Sequence, residues 1–241
     1  MKERMGMKPK FKRVLLKLSG EALAAGGEGI LNHDFVAKVA SAIKRCLDEG
    51  VEVGVIVGAG NIWRGRQGGK MDRIRGDYMG MLATAINSIA LQDAFIEAGI
   101  DARIQSAIEM REVGEYYTRD AAVAHLKAGR VVIFACGLGE PFFSTDTAGA
   151  LRAIEIGADA MLMAKNIDGI YNADPKVCPD AKRYDSITYS EILSKNLKVI
   201  DSTAAALCMD NGLPTLVFGL TDAENIYRAV MGEANGTIVT Q

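Results

Sequence analysis

The sequence predicts an α/β protein: a three-layer αβα sandwich whose central sheet is mostly parallel and covered by helices on both faces. Three observations carry that prediction. Short aliphatic or β-branched runs alternate with amphipathic helical stretches, the pattern of parallel strands joined by helical crossovers. Two of those runs, Val131–Cys136 and Ala160–Ala164, are apolar almost throughout, as strands buried on both faces must be. Glycines stand just past two of the helical stretches, at Gly50 and Gly99, where a left-handed residue ends a helix.

In chain order, residues 1–13 form a basic N-terminal extension ahead of a single domain over residues 14–241. The apolar run Val14-Leu15-Leu16 stops at Lys17, too short for the core of a secretory signal. Strands are expected at Val14–Leu18, Val51–Val57, Ala102–Ser106, Val131–Cys136, Ala160–Ala164 and Pro214–Phe218. Between them Val36, Val39, Ala40, Ile43 and Leu47 recur at helical spacing, predicting one inward face. Leu82, Ile86, Ile89 and Ile96 predict another, on a helix expected to begin near Asp77. Ser144, Thr145 and Asp146 are expected to open a helix over Ala148–Ile156.

Composition narrows the class of function. The 241 residues are 49% hydrophobic and 24% charged, with 28 basic against 30 acidic side chains, so no basic surplus points to a nucleic-acid partner. No apolar stretch approaches the ~20 residues that span a bilayer. Cys46, Cys136, Cys178 and Cys208 are far apart without metal-ligand spacing; read as reduced thiols, they place the chain in the cytoplasm. His33 and His125, the only histidines, leave little material for a histidine metal site or a nucleophile–histidine triad. Twenty-six glycines exceed the usual share, and their positions matter more than their number.

In a parallel α/β sheet, ligands bind beyond the carboxyl ends of the strands. The first strand ends in Lys17-Leu18-Ser19-Gly20. An ammonium inside an apolar strand is costly unless paired. It is either a strand-end lysine reaching water or a cation facing a phosphate, with Ser19 and Gly20 offering backbone amides. The second strand runs into Gly58-Ala59-Gly60-Asn61-Ile62-Trp63-Arg64. Trp63 breaks a dinucleotide fingerprint, and Arg64 and Met71 break a P-loop; small residues beside an arginine still suit an anion. Asp77 is read either as a helix cap or as an acceptor for ribose hydroxyls or a base edge.

The fourth strand leads into Gly137-Leu138-Gly139-Glu140-Pro141-Phe142-Phe143-Ser144-Thr145-Asp146, a rigid loop ending at a helix N-terminus, where anions bind readily. An aspartate there fits best if it holds a lysine or a magnesium ion that faces bound phosphates. After the fifth strand come Lys165, Asn166, Asp168-Gly169, Tyr171 and Asp174-Pro175. Tyr171 stacks on an adenine or merely pins its loop, and the residues alone leave both open. Four strand ends thus combine glycines with a cation, a hydroxyl or a carboxylate. That inventory suits phosphoryl transfer, where positioning and charge neutralisation dominate.

Five ordered stretches, Lys17-Leu-Ser-Gly-Glu-Ala-Leu, Gly60-Asn-Ile-Trp-Arg-Gly, Gly76-Asp-Tyr-Met-Gly-Met-Leu-Ala-Thr, Pro141-Phe-Phe-Ser-Thr-Asp and Asp168-Gly-Ile-Tyr-Asn-Ala-Asp-Pro, resemble the bacterial-type UMP kinases of the amino-acid-kinase superfamily. The resemblance runs from about Lys12 to the C-terminus. It implies an amino-acid-kinase-like fold and transfer of the γ-phosphoryl group of Mg-ATP to UMP, giving UDP for pyrimidine nucleotide synthesis.

The resemblance also implies roles. Lys17, Leu18, Ser19, Gly20, Gly60 and Arg64 would contact the ATP phosphates, and Lys165 or Asn166 with Tyr171 and Asp174 would hold the adenine nucleotide. Ala59, Asp77 and the loop Leu138, Gly139, Glu140, Pro141, Phe142, Phe143, Ser144 and Thr145 would form the UMP site. Lys17, Arg64 and Asp146 would be catalytic, with magnesium carried mainly by the ATP phosphates, near Asp146. Family members are homohexamers activated by GTP and inhibited by UTP, and Ala25-Gly26-Gly27-Glu28-Gly29 resembles the stretch linked to GTP. Where the family has three successive glycines, this chain has Gly58-Ala59-Gly60. The alternatives are a phosphotransferase of the same fold with an acyl or carbamate acceptor, and a catalytically silent nucleotide sensor.

Overall fold

The computed structural model describes residues 8–25, 29–63, 69–175, 177–233 and 235–241. Nine strands form one sheet: β1 (Arg13–Leu18), β2 (Glu52–Val57), β3 (Ala102–Ser106), β4 (Glu115–Tyr116), β5 (Val131–Ala135), β6 (Ala160–Lys165), β7 (Ser186–Thr188), β8 (Thr215–Gly219) and β9 (Gly236–Thr240). Their order is β4-β3-β5-β2-β1-β6-β8-β9-β7. Every neighbouring pair is parallel except β8 and β9. The mostly parallel sheet read from the sequence is therefore present, and its six expected strands are found with ends shifted by no more than one residue. The strands β4, β7 and β9 were not foreseen; β4 and β7 have too few residues to show a period of two, and in β9, Gly-Thr-Ile-Val-Thr, the apolar residues Ile238 and Val239 are adjacent and do not alternate although burial does.

Helices cover both faces. α1 (Gly20–Ala24), α2 (His33–Asp48), α3 (Arg73–Glu97), α4 (Arg119–Lys127), α5 (Thr145–Glu155), α6 (Tyr189–Ser194), α7 (Ser202–Asp210) and α8 (Glu224–Met231) alternate with the strands. Two cores lie against the two faces of the sheet, and β1 shows how strand alternation feeds both. Val14, Leu16 and Leu18 pack with residues of α2, α3 and α8. Leu15, one residue out of step, packs with residues of α4 to α7. Successive side chains point to opposite faces, so Lys17 shares the α5 face with Leu15.

The stops at Gly50 and Gly99 are as expected. Both are left-handed, with φ of 81° and 75°, and the residues after them donate back to the helix, Val51 N to Cys46 O and Ile100 N to Phe95 O. These are the six-to-one bonds of a Schellman motif. The α2 face is also as expected, with Val36, Val39, Ala40 and Ile43 buried.

The face expected of α3 is not the buried one. Leu82, Ile86 and Ile89 are 49%, 47% and 47% exposed, and Ile96 is more exposed still. Met81, Ala85, Leu91 and Phe95 are buried instead, together with Thr84, Asn87 and Ser88. Small and polar side chains interrupt the inner face between Met81 and Leu91, so a hydrophobicity pattern selects the outer one. By length and composition α3 could cross a membrane, yet its polar inner residues bond to the sheet layer, as described below. The helix also begins earlier than expected: Asp72 caps it by accepting from Arg75 N at 3.1 Å. Asp77 is therefore inside the second turn and is not the cap. Leu91→Ala should cost about 2–5 kcal/mol in urea unfolding, because Leu91 is fully buried where the expected periodicity leaves it outside.

Candidate active site

The carboxyl ends of β1, β2, β5 and β6 are adjacent at one edge of the sheet. Two cross-links hold them there: Ser19 N donates to Ala164 O, and Gly58 N to Leu18 O. Gly20 is fixed by this closeness. A Cβ at that position would lie 2.4 Å from Gly58 O and 2.5 Å from Asn61 Oδ1, far inside contact distance.

At the centre is a cluster of three charges. Lys17 points from β1 toward the N-terminus of α5, where its Nζ is 2.9 Å from Asp146 Oδ1. Lys165 ends β6 on the same face, in register with Met161 and Met163 of that core, and its Nζ is 2.9 Å from Asp146 Oδ2. Lys165 also donates to Val199 O. Burial alone would raise the Asp146 carboxyl, but Lys17 and then Lys165 outweigh it and hold it at about 2. Burial, only partly offset by Asp146, lowers the Lys165 ammonium, and Lys17 lowers it further.

The N-terminus of α5 is itself held from outside. Ser144 caps it, its Oγ accepting from Asp146 N at 3.0 Å and Thr147 N at 3.2 Å. The hydroxyls of Ser144 and Thr147 both donate to Asp201, which also caps α7 through Ala204 N. Ser144 thus acts as the cap foreseen from the sequence, and the helix begins at Thr145, three residues earlier than expected.

Two cavities meet at this cluster. The first, about 330 Å³, is lined by Lys17, Ser19, Gly20, Gly58, Ala59, Gly60, Trp63, Asp77, Thr84, Gly137, Leu138, Glu140, Phe143, Ser144 and Thr145, among others. The second, about 500 Å³, is lined by Ser144, Asp146, Lys165 and the segment 192–202. Lys17 faces the first, and Asp146 and Lys165 face the second. The loop over the first cavity carries non-glycine residues with positive φ, Cys136 at 62° and Phe142 at 72°, conformations that are kept only where surrounding bonds enforce them. Thr84 Oγ1 accepts from Cys136 N at 2.9 Å. Asp77 accepts from Phe142 N at 2.9 Å while ion-paired to Arg73.

Most of the expected site residues are therefore brought together. Leu18 lies buried in β1 beside Lys17, and Gly139 and Pro141 belong to the same loop as Leu138 and Glu140. Asn166 reaches Glu21 across the cleft at 3.3 Å. Tyr171 donates to Asp168, which Arg183 also grips. Tyr171 and Asp174 line neither cavity. Arg64 and residues 26–28 of the glycine-rich stretch lie outside the described residues. Asp201, Asn87 and Thr84 were missed: Thr84 closes the quoted stretch that begins at Gly76 without any sign of its role, and only tertiary contact marks Asp201 and Asn87.

Of the two partners weighed for Asp146 from the sequence, lysine is the one present. Both carboxylate oxygens are occupied by lysines, and the described residues contain no cluster of three or more acidic, cysteine or histidine side chains that could hold a metal. The donor set suits a magnesium ion that arrives on a nucleotide.

Comparison with known proteins agrees with this geometry. The profile of the amino acid kinase family matches residues 12–219. Among solved structures, a UMP kinase from Bacillus anthracis superposes with a TM-score of 0.91 at 37% identity, covering 95% of this chain and 96% of its own. A UMP kinase from Ureaplasma parvum gives 0.90 at 34% identity, covering 95% and 99%. A uridylate kinase from Archaeoglobus fulgidus gives 0.70 at 28%, covering 94% and 99%.

The Asp146 clamp has a pH signature. A carboxyl that ordinarily titrates near 3.8 and here at about 2 stabilises the fold fully above about pH 4 and loses that contribution as pH falls through 2. The stability advantage of the wild type over Asp146→Asn should therefore shrink by about 2 kcal/mol between pH 5 and pH 2. Urea titrations at several pH values measure it.

Proposed function

This chain belongs to the amino acid kinase family, and we propose that it is a UMP kinase. It would transfer the γ-phosphoryl group of Mg-ATP to a phosphate oxygen of UMP, giving UDP and ADP for pyrimidine nucleotide synthesis. The observation that carries this reading is the Lys17–Asp146–Lys165 cluster, poised between two cavities. A reaction that joins two polyanions needs cations at their junction, and the residues assigned to the acceptor and to the donor phosphates converge on the first cavity beside that cluster.

The acceptor enters the first cavity, where Asp77, Ala59 and the loop from Leu138 to Thr145 surround it. The donor approaches past Lys165 and Asn166, its phosphates reaching Lys17, Leu18, Ser19, Gly20 and Gly60 with Arg64. Tyr171 and Asp174, which line neither cavity, are assigned to the donor nucleotide on the resemblance alone. In the transfer the acceptor oxygen forms a bond to the γ-phosphorus as the bond to the β-bridging oxygen breaks, and that electron pair leaves on ADP. The attacking phosphate oxygen is already anionic, so no general base is required. Lys17 and Lys165 neutralise charge on the transferred group, and Asp146 fixes where those ammonium groups sit. Catalysis rests on in-line placement and preorganised charge. Magnesium enters as part of the Mg-ATP substrate.

The remaining expectations follow from the same reading: a cytoplasmic enzyme whose residues 14–241 act as one domain behind a basic extension, assembled as a homohexamer, activated by GTP and inhibited by UTP. The exposed row Leu82, Ile86 and Ile89 along α3, with Ile74, Tyr78 and Met79 beside it, supports assembly, since a contiguous apolar face on one helix marks an interaction surface. Sedimentation with and without GTP tests that part.

A coupled assay offering UMP, CMP, aspartate and glutamate with Mg-ATP should show turnover with UMP well above the rest; no turnover with UMP sinks the assignment. Lys17→Ala should lower kcat by roughly 10²–10³-fold with the circular dichroism spectrum unchanged.

A further inference from the structure

Helix α3 reaches the site with two inward polar side chains one turn apart. Thr84 holds the end of β5 through Cys136 N. Asn87 is wholly buried and holds the end of β2. Its Nδ2 donates to Gly58 O at 2.8 Å and to Asn61 Oδ1 at 2.9 Å. Asn61 answers by donating from its own Nδ2 to Asn87 Oδ1 at 3.0 Å and to Ile30 O at 2.6 Å. All four amide protons and both amide oxygens are used, so the pair forms a closed network with one solution. Such a network fixes a backbone more firmly than its separate bonds would.

What it fixes is the glycine loop. Gly58 lies at the meeting point of three strand ends: a Cβ there would be 3.4 Å from Gly20 N, 3.6 Å from Thr145 Oγ1 and 3.7 Å from Leu18 O. A third tie holds the far end of the same loop, where Trp63 Nε1 donates to Gly76 O of α3 at 2.8 Å. The loop therefore takes its position from α3 as well as from its own strand. We infer that Asn87 is a positioning residue for phosphoryl transfer, acting through Gly58 and Asn61 to set the loop 58–60 against Lys17 and Thr145. This rests on the proposed kinase activity and goes beyond it, because Asn87 is wholly buried and lines neither cavity.

The consequence is specific. The loop borders the transferred group, whereas Asp77, the 138–145 loop and the Lys165 side hold the rest of the two nucleotides. Loosening the loop should harm alignment and leave affinity nearly intact, and a misplacement of about 1 Å at a reacting centre costs about 10²-fold. The test compares wild type with Asn87→Asp, which keeps the size but turns a donor to Gly58 O into a repelling carboxylate, and with Asn87→Ala. Below the melting temperature and per folded chain, kcat should fall at least tenfold, with KM for both nucleotides within about twofold of wild type. Asn61→Ala cuts the same link from the part-exposed loop side. It should show the same split even where a buried substitution at Asn87 prevents folding.

A lowered Tm with unchanged kcat per folded chain would reduce Asn87 to a structural role and overturn the inference. So would a rise in KM that accounts for the whole loss. The wild-type control separates this result from the functional assignment: if UMP is not its acceptor, that assignment fails. The same ratios, taken on the acceptor it does use, or on ATP hydrolysis if none is found, still decide the role of Asn87.

Discussion

The active end of this protein depends on one carboxylate buried between two ammonium groups. Asp146 binds Lys17 through one oxygen and Lys165 through the other, and the three side chains are 10–17% exposed. None of these charges is tolerable there alone, since an unpaired buried ion costs several kcal/mol. One negative and two positive charges leave a net positive centre, held in place before any anion arrives. Such a cluster is a poor way to gain stability, and replacing it with apolar side chains would often be neutral or better. Its retention at the junction of two cavities is more readily explained by chemistry than by folding.

The rest of the fold reads as support for that centre. Parallel pairing brings the ends of β1 and β6 side by side, and strand alternation puts Lys17 and Lys165 on the same face. Ser144 and Asp201 then anchor the N-terminus of α5 so that Asp146 meets both lysines. On the opposite side of the cleft, α3 braces the β2 and β5 loops through Asn87 and Thr84. Buried polar groups of this kind are fully bonded because leaving one unmade is expensive. They also explain why the inner face of a long apolar helix carries Thr84 and Asn87.

Legibility followed the range of the signal. Strand positions were readable because an apolar run bounded by turn residues is a local pattern, and the ends of the six foreseen strands were displaced by a single residue at most. The glycine loops were readable because close approach of backbones excludes side chains, as the 2.4 Å contact at Gly20 shows. Lys17 and Asp146 were suspected from incongruity: a cation in an apolar strand, and an acid where an anion was expected to bind. The face of α3 was misjudged because its helical period carries apolar residues outward, a pattern that in a lone chain cannot be told from a core. The resemblance gave Lys165 or Asn166 to the adenine nucleotide; what the structure shows of Lys165 is its place in the Asp146 clamp.

By itself, then, the sequence determined six of the nine strands, where the backbone must pass closely, and which charges are out of place, because each depends on residues near one another in the chain. Which charges neutralise one another was decided only by tertiary structure. Lys17, Asp146 and Lys165 come from three separate elements, and Asn61 and Asn87 from a loop and a helix. No local pattern encodes those pairings. They follow from strand order and face, which the packing of the whole sheet sets.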